Sequence, residues 1–260
     1  MVKHAIIALE GNHDQALVAK LLKNLGFKSF HGNVSNLDLF WTKFVPRYPT
    51  KKGKLYARLN MPSILFNESL SVAIYVGEGS NLAENLDDIL SINPEYYTDL
   101  IALGIIADAD KENPEKVVVE YHQILLNYFS NFPHKPGIVD KNIPRTGIYV
   151  LPNNISQGVL DTLLCECGEI AYPKYMARAK LYLNEFYEEE KISKPLKWKP
   201  FDDKKALIAT VVSVLKPGKT NTVSINDNDW ISHRTIEEVE SLKQLQTFLM
   251  ELLDLTETND

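Results

Sequence analysis

Two short acidic stretches carry the residue types that hold hard cations and move protons. In the first, LEGNHD at Leu9–Asp14, Glu10 directly follows an apolar run, and His13 and Asp14 come within four further positions. In the second, IIADADKE at Ile105–Glu112, Asp108, Asp110 and Glu112 stand at every second position. Residues two apart in an extended segment face the same side, so these three carboxylates can converge on one cation. Hard oxygen donors suit Mg2+ or Mn2+, which keep waters and bridge to phosphate oxygens. Glu10, held after a tight turn near such a metal, can give or take a proton. A carboxylate at a strand end also serves simply as a helix cap or first-turn acid. That plainer reading stays open for each acid taken alone.

These residues must be positioned by the elements around them. The apolar run His4–Leu9 stops at Glu10-Gly11, which predicts a strand buried on both faces. Apolar positions Ala16, Leu17, Leu21, Leu22 and Leu25 then recur at helical spacing over 13–25, closed by Gly26. Residues 28–70 hold Trp41, Pro46, Pro49 and Pro62 without a sustained period, and predict an inserted excursion with short helices or a hairpin. Regular pattern returns as a strand at Ser71–Val76, a short helix at Asn81–Leu90 and an apolar run at Leu100–Ala107. A helix opened by Pro114 follows, then a strand at Thr146–Leu151 and helical spacing from Val159.

The alternation predicts an α/β fold with a mostly parallel sheet of about four strands and helices on both faces. We place this core at residues 1–170 and a mainly helical part packed on it at 171–260. Segments 175–190 and 235–255 are strongly helical, whereas 204–215 fits helix or strand. In open parallel sheets, sites form beyond the carboxyl ends of strands, which is where Glu10, Asp14, Asp108 and Asp110 fall.

Composition narrows the classes. The chain has 260 residues, 45% hydrophobic and 24% charged, fractions of a folded chain rather than a disordered one. No apolar run approaches the ~20 residues that span a bilayer, and the first apolar stretch is too short for a signal-peptide core. Cys165 and Cys167 are too close in sequence to staple a fold and indicate a reducing compartment, hence a cytoplasmic location. A net charge of −6 and a pI of about 5.6 argue against a basic coat for non-specific nucleic-acid binding. They leave open an enzyme that meets phosphates through metal ions. Lys51, Lys52, Lys54 and Arg58 in the excursion could steer a phosphate backbone, or simply line a solvated loop. The segment Lys216–Thr220 lacks the upstream glycine of a phosphate loop, and one Cys pair cannot make a zinc ribbon.

Taken in order, these motifs resemble the TOPRIM domain of type I and II topoisomerases, DnaG-type primases and overcoming-lysogenization-defect nucleases. That domain carries a Glu-Gly turn after its first strand and a D-x-D motif after a later one, as Glu10-Gly11 and Asp108-x-Asp110 do here. The resemblance implies Glu10 as general acid/base and Asp108 and Asp110 as metal ligands. Glu112 takes the place of a third acid found in many members, and Asp14 matches the nuclease branch. A resemblance over nearly the whole chain is to a TOPRIM-related family of unknown function. It is carried by Gly147-Ile-Tyr-Val-Leu-Pro-Asn153-Asn154 and Gly158-Val-Leu-Asp161. Asn153 stands where that family usually has aspartate, and Asp161 on the next helix could partly compensate.

Two functions follow as expectations. One is a Mg2+- or Mn2+-dependent phosphoryl-transfer enzyme, a nuclease on DNA or RNA, with phage defence as an analogy. Glu10 would be catalytic, Asp108, Asp110 and Glu112 would hold metal, and His13, Asp14, Asn153 and Asp161 would lie around them. The other is a TOPRIM-like scaffold that binds nucleotide, nucleic acid or a protein without chemistry, which Asn153 and the acidic charge favour.

Overall fold

The strand β1 (Lys3–Leu9) is fully buried from Ala5 to Leu9 because it lies inside a sheet covered on both faces. The computed structural model describes residues 2–42, 62–77 and 79–255. The further strands are β2 (Lys28–Ser29), β3 (Ser63–Phe66), β4 (Leu70–Val76), β5 (Ala102–Asp108), β6 (Val139–Asp140) and β7 (Arg145–Leu151). They form a seven-stranded sheet in the order β2-β3-β4-β1-β5-β7-β6. The four central strands β4-β1-β5-β7 are parallel, and β2, β3 and β6 add antiparallel edges. The sheet is mostly parallel and flanked by helices, so the α/β class is as the alternation predicts. The extra edge strands are short pieces with too few residues to show a period.

Helices α1 (Asn12–Asn24), α2 (Leu82–Ile92), α3 (Glu95–Thr98) and α4 (Pro114–Leu125) belong to the first part of the chain. They are followed by α5 (Leu160–Ala171), α6 (Pro173–Asn184), α7 (Glu188–Ile192) and α8 (Asp202–Leu215). The last three are α9 (Asn221–Asp227), α10 (His233–Glu238) and α11 (Glu240–Leu252). Alternation along each strand splits the apolar side chains between two cores. Ala5, Ile7, Leu9, Val72, Ile74 and Ile106 face α1, α5 and the C-terminal helices, whereas Ile6, Ala8, Ala73, Leu103 and Ile105 face α2 and α4. Segment 204–215 is helical, its buried side chains Leu207, Ile208, Val211 and Val212 recurring at 3.6-residue spacing.

Counted by order in the chain, the parallel strands run second, first, third, fourth. The sense of winding therefore changes between β1 and β5, the switch point where such sheets open a crevice at their carboxyl ends. The excursion after α1 contributes the antiparallel pair β2 and β3 to the sheet edge, and its Trp41 is held on β4, Nε1 donating to Ser71 Oγ at 2.8 Å. The C-terminal helix α11 lies on β5 and β7, where glycine replaces a side chain. A Cβ on Gly104 would stand 2.3 Å from Leu252 Cδ2, and one on Gly147 2.8 Å from Phe248 Cε2. Gly104 is thus the break in the apolar run of β5 because a helix crosses there. Among the described residues, no helix is long and apolar enough to cross a membrane.

Overpacking costs roughly 1–3 kcal/mol, and Gly104→Ala should lower the urea-unfolding free energy by about that amount. Introduced into a Leu252→Ala background, the same change should cost clearly less, because the cavity accommodates the methyl. Equal costs in both backgrounds would contradict this packing.

Candidate active site

Glu10 follows β1, and Asp108 ends the neighbouring strand β5, so parallel pairing brings them together across the switch point. The β1–α1 turn is tight. Gly11 caps α1 in an extended conformation and donates its N–H to Asp14 Oδ2 at 2.7 Å. A Cβ there would lie 3.0 Å from that same oxygen, so a glycine lets the carboxylate fold back over the turn. Gly79 N–H donates to the Glu10 carbonyl at 2.9 Å, stitching the loop after β4 to the turn. On the other side, Asp108 Oδ1 accepts the Leu160 N–H at 2.9 Å, at the first residue of α5. The loop carrying it is clamped by two backbone bonds between Asp110 and Gly158, at 2.8 and 3.0 Å. Two helix N-termini therefore face one cleft of about 360 Å3, lined by Glu10, His13, Asp14, Asp108, Asp161 and Lys205 among others.

The electrostatics of this cleft are unfavourable to its own charges. Burial pushes the Glu10 carboxyl up to about 7 from an ordinary 4.5. The Asp108 backbone N–H and the Tyr121 hydroxyl, 3.4 Å from Oε1, work against that rise, while the charges of Asp110 and Glu120 add to it. Asp14 is raised as well, first by burial and then by Glu10, with Asp161 adding to the repulsion and the Gly11 N–H opposing it. Asp108 is raised by burial and then by Asp14 and Glu10. Beside this trio, burial lowers His13 while Asp161 holds it up, and burial raises Asp161 while His13 and Lys205 hold it down. Glu10, Asp14 and Asp108 thus form one mutually repelling group, and Asp161, His13 and Lys205 form a neighbouring, partly compensated one.

Asp14, expected around the site, stands at its centre, since folding back on Gly11 buries it. Asp110 is exposed and reaches Glu10 and Asp108 through its charge. Its φ of 49° turns the chain out of the extended conformation, so the every-second-residue alternation stops there. Glu112 consequently leaves the group and pairs with Lys116 on the surface at 2.6 Å. Asn153 is also elsewhere in its bonding, its Oδ1 accepting the N–H groups of Ile155 and Ser156 at 3.1 and 2.8 Å. Lys51, Lys52, Lys54 and Arg58 lie outside the described residues. Tyr121 and Lys205 also reach the site, and residue spacing does not reveal them. Tyr121 reads as one more apolar position of α4, although a hydroxyl on a buried helix face must find a partner. Lys205 carries no local signal, because only the packing of α8 on α5 brings it to the cleft.

Among the described residues, no three His, Cys, Asp or Glu side chains stand ready as a metal-ligand set. Mg2+ does not require one, as it usually binds one or two carboxylates and completes its shell with water and phosphate oxygens. The donor chemistry of Glu10, Asp108 and Asp110 fits such an ion.

The sequence profile of a family described as "Protein of unknown function (DUF3226)" matches residues 4–254. The chain belongs to the DUF3226 family. Its fold is similar to that in the crystal structure of a hypothetical protein from Pyrococcus horikoshii, with a TM-score of 0.49 and 16% identity. That similarity covers 95% of this DUF3226 chain and 100% of the other. No functionally curated protein matches the sequence.

The raised carboxyls set a pH dependence with a definite sign. Between 4.5 and about 7 the native state holds a proton on Glu10 that the unfolded chain releases, so stability falls as pH rises through this window. In metal-free buffer the unfolding free energy should therefore decline from pH 5 to pH 8. Asp14→Asn, which keeps the acceptor for Gly11 but removes a buried charge, should recover roughly 1–3 kcal/mol at pH 8. A flat profile from chemical denaturation across that window would contradict the burial of these charges.

Proposed function

We propose that the Glu10–Asp108 cleft is a Mg2+- or Mn2+-dependent phosphoryl-transfer site of the TOPRIM type, acting as a nuclease on DNA or RNA. The observation that carries this reading is the mutually repelling group of half-buried Glu10 and Asp108 with buried Asp14 at the sheet's switch point. Such a group is stable only with shared protons or a bound cation. The TOPRIM resemblance of the Glu10-Gly11 turn and the Asp108-x-Asp110 pair supports the same chemistry.

Asp108 and Asp110 would hold the ion, with Asp108 fixed by the Leu160 N–H. When bound, the ion would supply charge neutralisation at a phosphate, the main demand of phosphoryl transfer. Glu10 would hold or pass a proton at its carboxyl oxygens, and its value near 7 matches it to either direction at neutral pH. Tyr121 steadies Glu10 from α4 by donating to Oε1. The Lys205 ammonium would place positive charge at the cleft beside Asp161, where an anionic substrate would be drawn in.

A second reading, binding of nucleic acid, nucleotide or a protein partner without chemistry, is favoured by Asn153 and Glu112. Both spend their oxygens on the protein itself.

Millimolar Mg2+ or Mn2+ should raise Tm at pH 8, and Asp108→Asn should abolish that rise. On plasmid, single-stranded DNA and RNA substrates, Glu10→Gln should keep the rise but reduce cleavage by about 10²–10⁴-fold. A wild-type protein that responds to divalent ions but cuts nothing would favour the second reading. One without any response would overturn the metal site.

A further inference from the structure

We infer that the lysine-bearing loop between α7 and α8 is a binding strip for single-stranded nucleic acid that leads toward the carboxylate cleft. The chain as a whole carries 28 Lys and Arg against 34 Asp and Glu, yet residues 173–205 hold nine Lys and Arg against six acids. Within that stretch, Ser193–Pro200 reads SKPLKWKP, with three lysines and no acid. Lys194, Lys197 and Lys199 are all exposed. No ion pair among the described residues engages any of them, whereas Lys191, Lys204 and Lys205 on either side pair with Glu188, Asp203 and Asp202.

The loop is also held in place. Lys197 N–H donates to the Ser193 carbonyl at 2.8 Å, Trp198 N–H to the Lys191 carbonyl at 2.7 Å and Lys199 N–H to Asp202 Oδ2 at 2.8 Å. The last bond ties the strip to the first turn of α8, one turn before Lys205, which lines the cleft beside Asp161. Trp198 lies between two of these lysines, half-buried, with the Lys191 ammonium 5.6 Å from its ring centroid. Alternating cations with an aromatic surface is the combination that binds single strands, the lysines meeting phosphates and the ring meeting a base. This strip differs from the basic run at Lys51–Arg58 and is contributed by the C-terminal helices.

The inference deepens the nuclease reading by naming where the strand would enter, but its test requires no catalysis. Binding of fluorescent single-stranded DNA and RNA 20-mers is measured by anisotropy in EDTA, from 50 to 200 mM KCl, with duplex DNA and poly-glutamate as competitors. We expect the intact chain to bind the single strands more tightly than the duplex, with affinity falling as salt rises. Lys194→Ala/Lys197→Ala/Lys199→Ala should weaken binding at least tenfold. The same variant should flatten the salt dependence by about 2, at ~0.7 for each phosphate it no longer neutralises. The corresponding triple Arg variant should bind like the parent. An Ala variant that binds like the parent with an unchanged salt slope would overturn the strip. So would absence of binding by the intact chain, loss of binding in Lys51→Ala/Lys52→Ala/Lys54→Ala instead, or competition by poly-glutamate as effective as that by DNA. The nuclease reading fails separately, by loss of the divalent-ion response while oligonucleotide binding persists.

Discussion

Three carboxylates crowded at one cleft, Asp14 buried and Glu10 and Asp108 half-buried, constrain everything around it. Glu10 opens the turn after β1, Asp108 ends β5 and Asp14 lies in the first turn of α1, and each raises the others' cost of ionisation. The fold offsets part of that cost with backbone dipoles. Gly11 N–H serves Asp14, Leu160 N–H serves Asp108, and both donors sit at helix N-termini where negative charge is favoured. The nearby Lys205 ammonium does not neutralise the trio, because it pairs with Asp202 and its charge acts on Asp161. What the dipoles leave uncompensated must be met by protons or by a cation, and that deficit is the source of the chemistry proposed for the site.

The scaffold explains why so costly a group can persist. β1 and β5 are central, parallel and covered on both faces, so their carboxyl ends are fixed by long ladders and by two separate apolar cores. The C-terminal helices share the core that holds α1 and α5, the two helices whose N-termini face the carboxylates. They contribute Lys205 to the cleft and α11 to the face of β5 and β7. Site and C-terminal helices are therefore mechanically linked, and a change at Gly104 or Leu252 acts on the strand that carries Asp108.

Much of this was legible in the sequence, for a physical reason. Buried parallel strands are near-continuous apolar runs, and Glu10 and Asp108 interrupt two of them at their ends, so both the strand positions and the convergence of the acids could be read. The edge strands were not legible, since two-residue β2 and β6 have no period to detect. Asp14 and Glu112 exchanged their expected places for local backbone reasons: a glycine cap draws Asp14 inward, and the positive φ of Asp110 turns Glu112 out. Tyr121 and Lys205 depend on packing between distant helices, which spacing along one element does not encode.

The chemistry proposed for the cleft depends on the charge state of Glu10 and its response to a divalent ion. Carbon-detected NMR titration of its side-chain carboxyl, with and without Mg2+, measures both. We predict a midpoint near 7 in EDTA, falling below the ordinary 4.5 when Mg2+ is bound nearby. A midpoint close to 4.5 in EDTA that does not move with Mg2+ would contradict the account.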